Sequence, residues 1–287
     1  MSFDVNAFQR QVIDEFRAHQ GRVGGPFEGS ALALLTTIGA RSGQPRTSPL
    51  AYLLIDGQPV VVASAMGADK NPGWYHNLRK NPVVTVEYGT ETYQAVATVP
   101  AGAERDALFA KVVAADPGFG AYQQKTTRPI PVVTLTRIEN GTWDRGLGDF
   151  LVESHDWLRT ELDSLRRQID QGDGALTVGM RRQCAEFCAG LETHHAGEDR
   201  GAFPMLAQRF PGLAPMLTQL GEEHRVVARL QGELRTLIDA YEPGHTDRVR
   251  LKQDLESLAV RLEEHFRYEE RTVVSALNSV GPAPEFG

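Results

Sequence analysis

Cysteine is nearly absent from this chain: Cys184 and Cys188 are the only two among 287 residues. Two thiols cannot build a disulfide framework, so a reducing compartment is the default and the expected location is cytoplasmic. They lie one helical turn apart, where a disulfide is held awkwardly, and they read as small thiols filling core space. Long hydrophobic runs are missing as well. No stretch approaches the roughly 20 apolar residues that span a bilayer. The first 21 residues carry Asp4, Arg10, Asp14, Glu15 and Arg17, which interrupt the apolar segment that a signal peptide needs. An excess of positive charge is the third absence. The net charge is -7; residues 1–147 hold 14 Lys/Arg against 13 Asp/Glu, whereas residues 148–287 hold 16 against 24. The acidic second half lacks the basic face that phosphate neutralisation requires, which argues against a nucleic-acid partner and is compatible with attracting metal cations.

Two different periodicities occupy what remains. In the N-terminal segment 1–24, Phe3, Val5, Phe8, Val12, Ile13 and Phe16 form an apolar stripe on a short helix. Packing against its own domain is the expected use of that stripe, with peripheral contact to a membrane surface as the alternative. From Ala31 onward, short runs rich in β-branched residues (31–38, 50–55, 60–64, 83–88, 93–99 and 130–135) are separated by turn signals such as Ile55-Asp56-Gly57 and Asn81-Pro82. Together with one helix at 104–115 they predict a small β-barrel over 25–140. Gly141, Gly146 and Gly148 mark a boundary, after which the pattern is helical. Four segments (149–171, 176–196, 212–241 and 246–279) are divided by Gln171-Gly172-Asp173-Gly174, Phe203-Pro204, Phe210-Pro211-Gly212 and Glu242-Pro243-Gly244. They predict an antiparallel four-helix bundle over 148–281. The fold class is therefore α+β with two domains.

The second predicted helix carries His194-x-x-x-Glu198 and the fourth His265-x-x-x-Glu269; the first and third carry His155 and His224. A spacing of four stacks His over Glu on one helix face, so each pair can reach a common ion. His155 to His224 is 69 residues, and both His194 to His265 and Glu198 to Glu269 are 71, a repeat that reads as two related helical hairpins. Four imidazoles and two carboxylates suit a pair of iron ions better than a structural zinc, with manganese as the alternative. His195, about 100° round the helix from His194, is either a further ligand or a solvated outward residue.

These motifs, Ser154-His155-Asp156, His194-His195-Ala196-Gly197-Glu198, Glu223-His224-Arg225 and His265-Phe266-Arg267-Tyr268-Glu269-Glu270, resemble the hemerythrin-like (HHE cation-binding) family. That resemblance implies a non-haem di-iron centre held by His155, His194, Glu198, His224, His265 and Glu269, with the two glutamates bridging, and oxygen or nitric oxide as ligands. Oxygen-carrying hemerythrins have a second histidine one turn along helix three. Here the one-turn neighbours of His224 are Leu220 and Ala228.

Three loops in the first half gather small residues, cations and backbone donors: residues 36–46, residues 63–78, and residues 120–128. Glycines permit tight turns there and arginines offer bidentate contacts to phosphate. As an ordered set they resemble the deazaflavin-dependent nitroreductase family, whose members have a split β-barrel. The resemblance implies that Arg41, Ser42, Arg46, Ser64, Met66, Gly67, Lys70, Asn71, Trp74 and Asn77 line a site for coenzyme F420 (8-hydroxy-5-deazaflavin). It puts Tyr122 at the substrate face. Ala40 stands where many relatives have Arg or Lys. FMN is the alternative cofactor for a barrel of this class.

Together the two resemblances imply a deazaflavin-dependent oxidoreductase. It would transfer hydride to a quinone, a nitro compound or an activated alkene, coupled to a di-iron domain. The alternative is a sensor or carrier of oxygen, nitric oxide or iron in which the barrel only binds a cofactor. A homodimer is a further expectation, since barrels of this type expose an edge that pairs.

Overall fold

The computed structural model describes residues 5–139, 141–171, 178–239 and 248–284. Phe3 and the turn signals around Gly172-Asp173-Gly174 and Glu242-Pro243-Gly244 lie outside the described residues. The chain forms two compact units, one comprising Met1–Glu139 with Phe210–Leu213 and the other Asn140–Arg209 with Ala214–Gly287.

The first unit is a curled antiparallel sheet of seven strands: β1 Leu32–Ile38, β2 Pro45–Ala51, β3 Leu53–Ile55, β4 Gln58–Val62, β5 Val83–Tyr88, β6 Glu91–Thr98 and β7 Val132–Arg137. Their order across the sheet is β2-β1-β5-β6-β7-β4-β3. The sheet curls so that β2 comes near β4, which gives a split barrel. Period-two alternation decides the two faces. On β1, Ala33 and Leu35 point into the barrel core with Val61, Val86 and Leu135, while Leu32 and Leu34 point the other way. On β4, Val61 lies inside, and Val60 and Val62 join Phe109, Val112, Phe119 and Ile130 on the outer face. Helices α3 (Gly102–Ala115) and α4 (Gly118–Gln123) cover that outer face.

Helix α1, Val5–Ala18, buries Val12 and Phe16 against Val23, Leu32 and Leu34, with Phe8, Ile13 and Phe27 packed alongside. This portion of the N-terminal stripe packs on its own domain, the first of the two expected uses. Among the described residues, no helix is long and apolar enough to cross a membrane.

The expected run 50–55 divides between the end of β2 and β3, α4 adds to the one helix expected at 104–115, and β2 and α2 (Gly73–Lys80) escape the sequence pattern for separate reasons. Strand β2 escapes the hydrophobic period because it reads Pro45-Arg46-Thr47-Ser48-Pro49, mostly polar with two prolines. It occupies an edge, where a proline's missing N–H costs no ladder bond. Helix α2 is only eight residues long and turns Trp74, Tyr75 and Leu78 inward beneath an otherwise polar sequence.

The second unit is helical. Four long helices, α5 (Leu147–Gln171), α6 (Val178–Gly197), α8 (Ala214–Asp239) and α9 (Arg248–Asn278), pack in ring order: α5 on α6, α6 on α8, α8 on α9, α9 on α5. They enclose a core of Leu158, Leu162, Phe187, Leu191, Leu234, Leu258, Leu262 and Phe266. Cys184 and Cys188 are buried in it as free thiols. A single π turn, Glu198–Ala202, interrupts the helix after α6, and a short α7, Phe203–Arg209, follows in the stretch read from sequence as a separator.

Candidate functional sites

In the barrel, α2 ties two of the three loops together. The Asn77 side chain accepts a hydrogen bond from the Ala40 amide (3.0 Å) and donates one to Thr37 Oγ1 (3.0 Å), while Lys80 Nζ donates to the Ala40 carbonyl (3.1 Å). These bonds hold the β1–β2 turn against the helix. Ser42 Oγ in turn accepts from the Gln44 amide (3.3 Å). The loop preceding α2 is strained: Ala65, Met66 and Gly67 take φ of 47°, 54° and 87° in succession. Two non-glycine residues in the left-handed region persist only where the surroundings over-determine them. Here Arg128 does so, donating to the Ala63, Ser64 and Ala68 carbonyls and to Asn71 Oδ1 at 2.7–3.1 Å. Burial lowers the Arg128 pKa from its usual value, with partial compensation from Asp69. Gly67 presses on the turn after α4, where a Cβ would come within 2.8 Å of the Tyr122 carbonyl and of Lys125 Cβ.

The ten residues implied for cofactor binding therefore divide. Ser42, Asn71 and Asn77 have polar atoms engaged within the protein, and Trp74 is buried in the barrel core. Ser64, Met66 and Gly67 form the strained loop beside Tyr122, with Met66 73% exposed. Arg41, Arg46 and Lys70 are exposed, and among the described residues their side chains have no hydrogen-bond or ion-pair partner. Exposed cations without a protein partner suit a phosphate-bearing cofactor. Arg128 lay within the third loop but could not be assigned from sequence, because its clasp exists only once the left-handed loop has formed.

In the bundle the six predicted side chains converge. His155 Nε2 lies 2.9 Å from His194 Nε2, and His224 Nε2 lies 3.1 Å from His265 Nε2. Two nitrogens bound at adjacent positions of one ion, with bonds of about 2.1 Å, stand about 3 Å apart. Glu198 lies between the pairs, 3.3 Å from His194 Nε2 and 3.5 Å from His224 Nε2; Glu269 lies 3.4 Å from His155 Nε2 and 3.5 Å from His265 Nε2. All four carboxylate oxygens are buried without a hydrogen-bond partner. Unsatisfied anionic oxygens at this depth are costly unless a cation meets them, so the donor set fits a metal pair.

The outer ring nitrogens fix the inner ones. Nδ1 of His155 donates to Glu270 (2.9 Å), that of His224 to Asp199 (2.9 Å) and that of His265 to Glu223 (3.0 Å). Each imidazole is thereby held in the tautomer that leaves Nε2 free as a ligand. Arg159 anchors Glu270 and Glu263. Asp199 and Glu223 are neighbours in sequence of Glu198 and His224, a signal that becomes readable once the convergence of those two side chains is seen.

His195 faces inward. It is 7% exposed, its ring stacks on that of His224 (4.1 Å between centroids), and its Nε2 is buried without a partner. Helix α6 packs on both α5 and α8, so two adjacent directions on it face the interior, and the alternative of a solvated His195 fails for that reason. The ligand-type atoms fall into two groups, each within 4.8 Å: His195, His224 and His265, and His155, His194, Glu198 and Glu269.

Burial sets the protonation states. It holds His155, His194 and His224 down at about 2, about 3 and about 4, with neighbouring imidazoles adding to the depression, and lowers His195 as well. The same burial pushes Glu269 up to about 7 and Glu198 well above the usual carboxylate range, the latter also through Glu269. Neutral imidazoles are the ligand form, and the carboxylates lose their protons when a cation replaces them.

The fold is a split barrel followed by a helical unit whose buried imidazoles and carboxylates suit a cation. The sequence profile of the F420H(2)-dependent quinone reductases matches residues 8–137, and that of the hemerythrin HHE cation binding domain matches residues 147–277. An F420H(2)-dependent quinone reductase of Mycobacterium tuberculosis is 37% identical over 126 residues, which cover 42% of this chain and 85% of the relative. A putative F420H(2)-dependent quinone reductase of Mycobacterium bovis matches to the same extent. A solved structure of an F420-H2 dependent reductase is 38% identical, covering 37% of this chain and 93% of that chain, with a TM-score of 0.34. The chain belongs to the F420H(2)-dependent quinone reductase family and carries in addition a hemerythrin HHE domain.

Proposed function

We propose that this protein transfers hydride from reduced F420 to a quinone, with nitro compounds and activated alkenes as further acceptors, and that its bundle holds two irons. The observation that carries the first part is the trio of exposed cations without a partner among the described residues, Arg41 in the β1–β2 turn held by Asn77, Arg46 at the start of β2, and Lys70 in the loop held by Arg128. Its relatives' names supply the acceptor class. When bound, the deazaflavin supplies the hydride. The chain's own part is to hold and orient. Arg41, Arg46 and Lys70 would neutralise the cofactor's phosphate-bearing tail. Ser64, Met66 and Gly67 would line its ring, and Tyr122 would position the acceptor or give it a proton.

In the bundle, His155, His194, Glu198, His224, His265 and Glu269 would hold the irons, joined by His195. A bound iron pair supplies redox and small-ligand chemistry. The protein keeps His155, His194, His195 and His224 neutral, orients His155, His224 and His265 through Glu270, Asp199 and Glu223, and surrounds the group with apolar packing. A homodimer formed through a sheet edge belongs to the same proposal.

Anaerobic mixing of the purified chain with reduced F420 and a benzoquinone tests the first part. Reoxidation of the deazaflavin at its visible band, lost in Lys70→Ala, is the expected result; no reoxidation with any quinone overturns it. Iron analysis tests the second, with two irons per chain expected and none after preparation in ample iron overturning it.

A further inference from the structure

The bundle holds a cavity of about 830 Å³ that neither proposed reaction uses. Leu147, Phe150, Leu151, Trp157, Met205 and Leu277 line it, and so do His194 and Glu198 from the donor set. None of His195, His224 or His265 reaches it. It therefore opens on the side of the donor set that has two imidazoles, not the side that has three.

Glycines keep this space open. Gly190, Gly197 and Gly201 all line it, and the first two are seven residues apart, nearly the same direction on α6. A Cβ on Gly190 would come within 2.5 Å of the Trp157 ring, so only glycine lets that indole lie across the helix. A Cβ on Gly197 or Gly201 would meet nothing within 4 Å. Trp157 is nonetheless 46% exposed, a large aromatic standing at the edge of the cavity without full cover.

The size excludes a diatomic ligand as the reason for the cavity, since a molecule of that class needs only tens of Å³, on the order of one water. Pockets of about 300–1,000 Å³ with apolar, aromatic walls and a few polar groups accept organic molecules of cofactor size. We propose that this cavity binds a lipophilic quinone or its quinol. The ring and tail would lie against Phe150, Trp157 and Met205, with an oxygen turned toward His194 and Glu198. The choice of quinone rests on the acceptor class proposed for the barrel; the cavity itself does not.

The test is a titration of the full, iron-loaded chain with decylubiquinone, following tryptophan fluorescence. Saturable quenching is expected, and it should vanish in Trp157→Phe, which separates this site from Trp74 and Trp143. Gly201→Leu fills the cavity and should weaken binding at least tenfold with iron content and iron absorption unchanged; Ala202→Phe serves if the first variant does not fold. Quenching that never saturates, that survives in Trp157→Phe, or that keeps its affinity in both filled variants overturns the proposal. Turnover of reduced F420 with the same quinone is measured separately. Binding without turnover sinks the barrel reading alone, and turnover without Trp157 quenching sinks this one alone.

Discussion

At the scale of single residues, the two His-x-x-x-Glu pairs are legible because a spacing of four is a local property of the helix. The direction of His195 is not, because it depends on whether one or two neighbouring helices cover α6. The partners of the ligands follow a similar division. Glu270 sits beside Glu269 in sequence, yet its bond to His155 Nδ1 spans α9 and α5. Replacing Glu270, Asp199 or Glu223 by alanine removes the acceptor that holds an imidazole in place. Each change should weaken metal affinity by about 10–100-fold, read by competition with a chelator of known strength. Affinity equal to wild type in all three would mean that these bonds do not orient the ligands. Arg128 offers a second test at this scale. Arg128→Met removes the donor shared by three carbonyls and Asn71, so the left-handed turn at Ala65 and Met66 should relax. F420 affinity should fall at least tenfold in equilibrium binding, whereas the barrel, whose core does not include Arg128, should keep its far-ultraviolet circular dichroism.

At the scale of elements, strands with alternating burial were readable, and so were helices with a sustained apolar face. Strand β2 was hidden by its prolines and polar side chains, and α2 by its length. The glycines after residue 140 carried a meaning beyond the boundary they mark. Gly146 and Gly148 approach the end of α9 so closely that a Cβ on either would come within 2.3 Å of Asn278 or Val274. That approach lets Asn278 Oδ1 accept from the amides of Gly148 (2.7 Å) and Asp149 (3.1 Å) while its Nδ2 donates to Asp149 Oδ1 (3.0 Å). The free amides that begin α5 are thus capped from another helix rather than by a preceding side chain. Asn278→Ala leaves those donors unmet and should cost about 1–3 kcal/mol, measured by denaturant unfolding of the bundle. A loss below the error of that measurement would show that water replaces the cap.

At the scale of the whole molecule, the titrations of the buried centre combine into one pH profile for the iron-free protein. His155, His194, His195 and His224 have pKa values below the ordinary 6.5, chiefly because burial disfavours the imidazolium. Their contribution to stability is therefore complete above pH 6.5 and is lost as pH falls below it, where the unfolded chain takes up protons that the folded one refuses. Glu198 and Glu269 are shifted the other way from 4.5, Glu269 to about 7. Their contribution is complete below pH 4.5 and is lost as pH rises through the folded value. Between 4.5 and 6.5 four imidazoles oppose two carboxylates, so stability climbs with pH; above 6.5 only the carboxylates change, and it declines. The iron-free bundle should accordingly be most stable near pH 6.5 and weaker at pH 8. A bound iron pair would take the place of the carboxylate protons, so loading should abolish the alkaline decline and steepen the acid one. Thermal unfolding of both forms from pH 5 to pH 8 measures this directly. An iron-free protein as stable at pH 8 as at pH 6.5 would mean that Glu198 and Glu269 do not share a buried site, and the metal assignment would fall with that result.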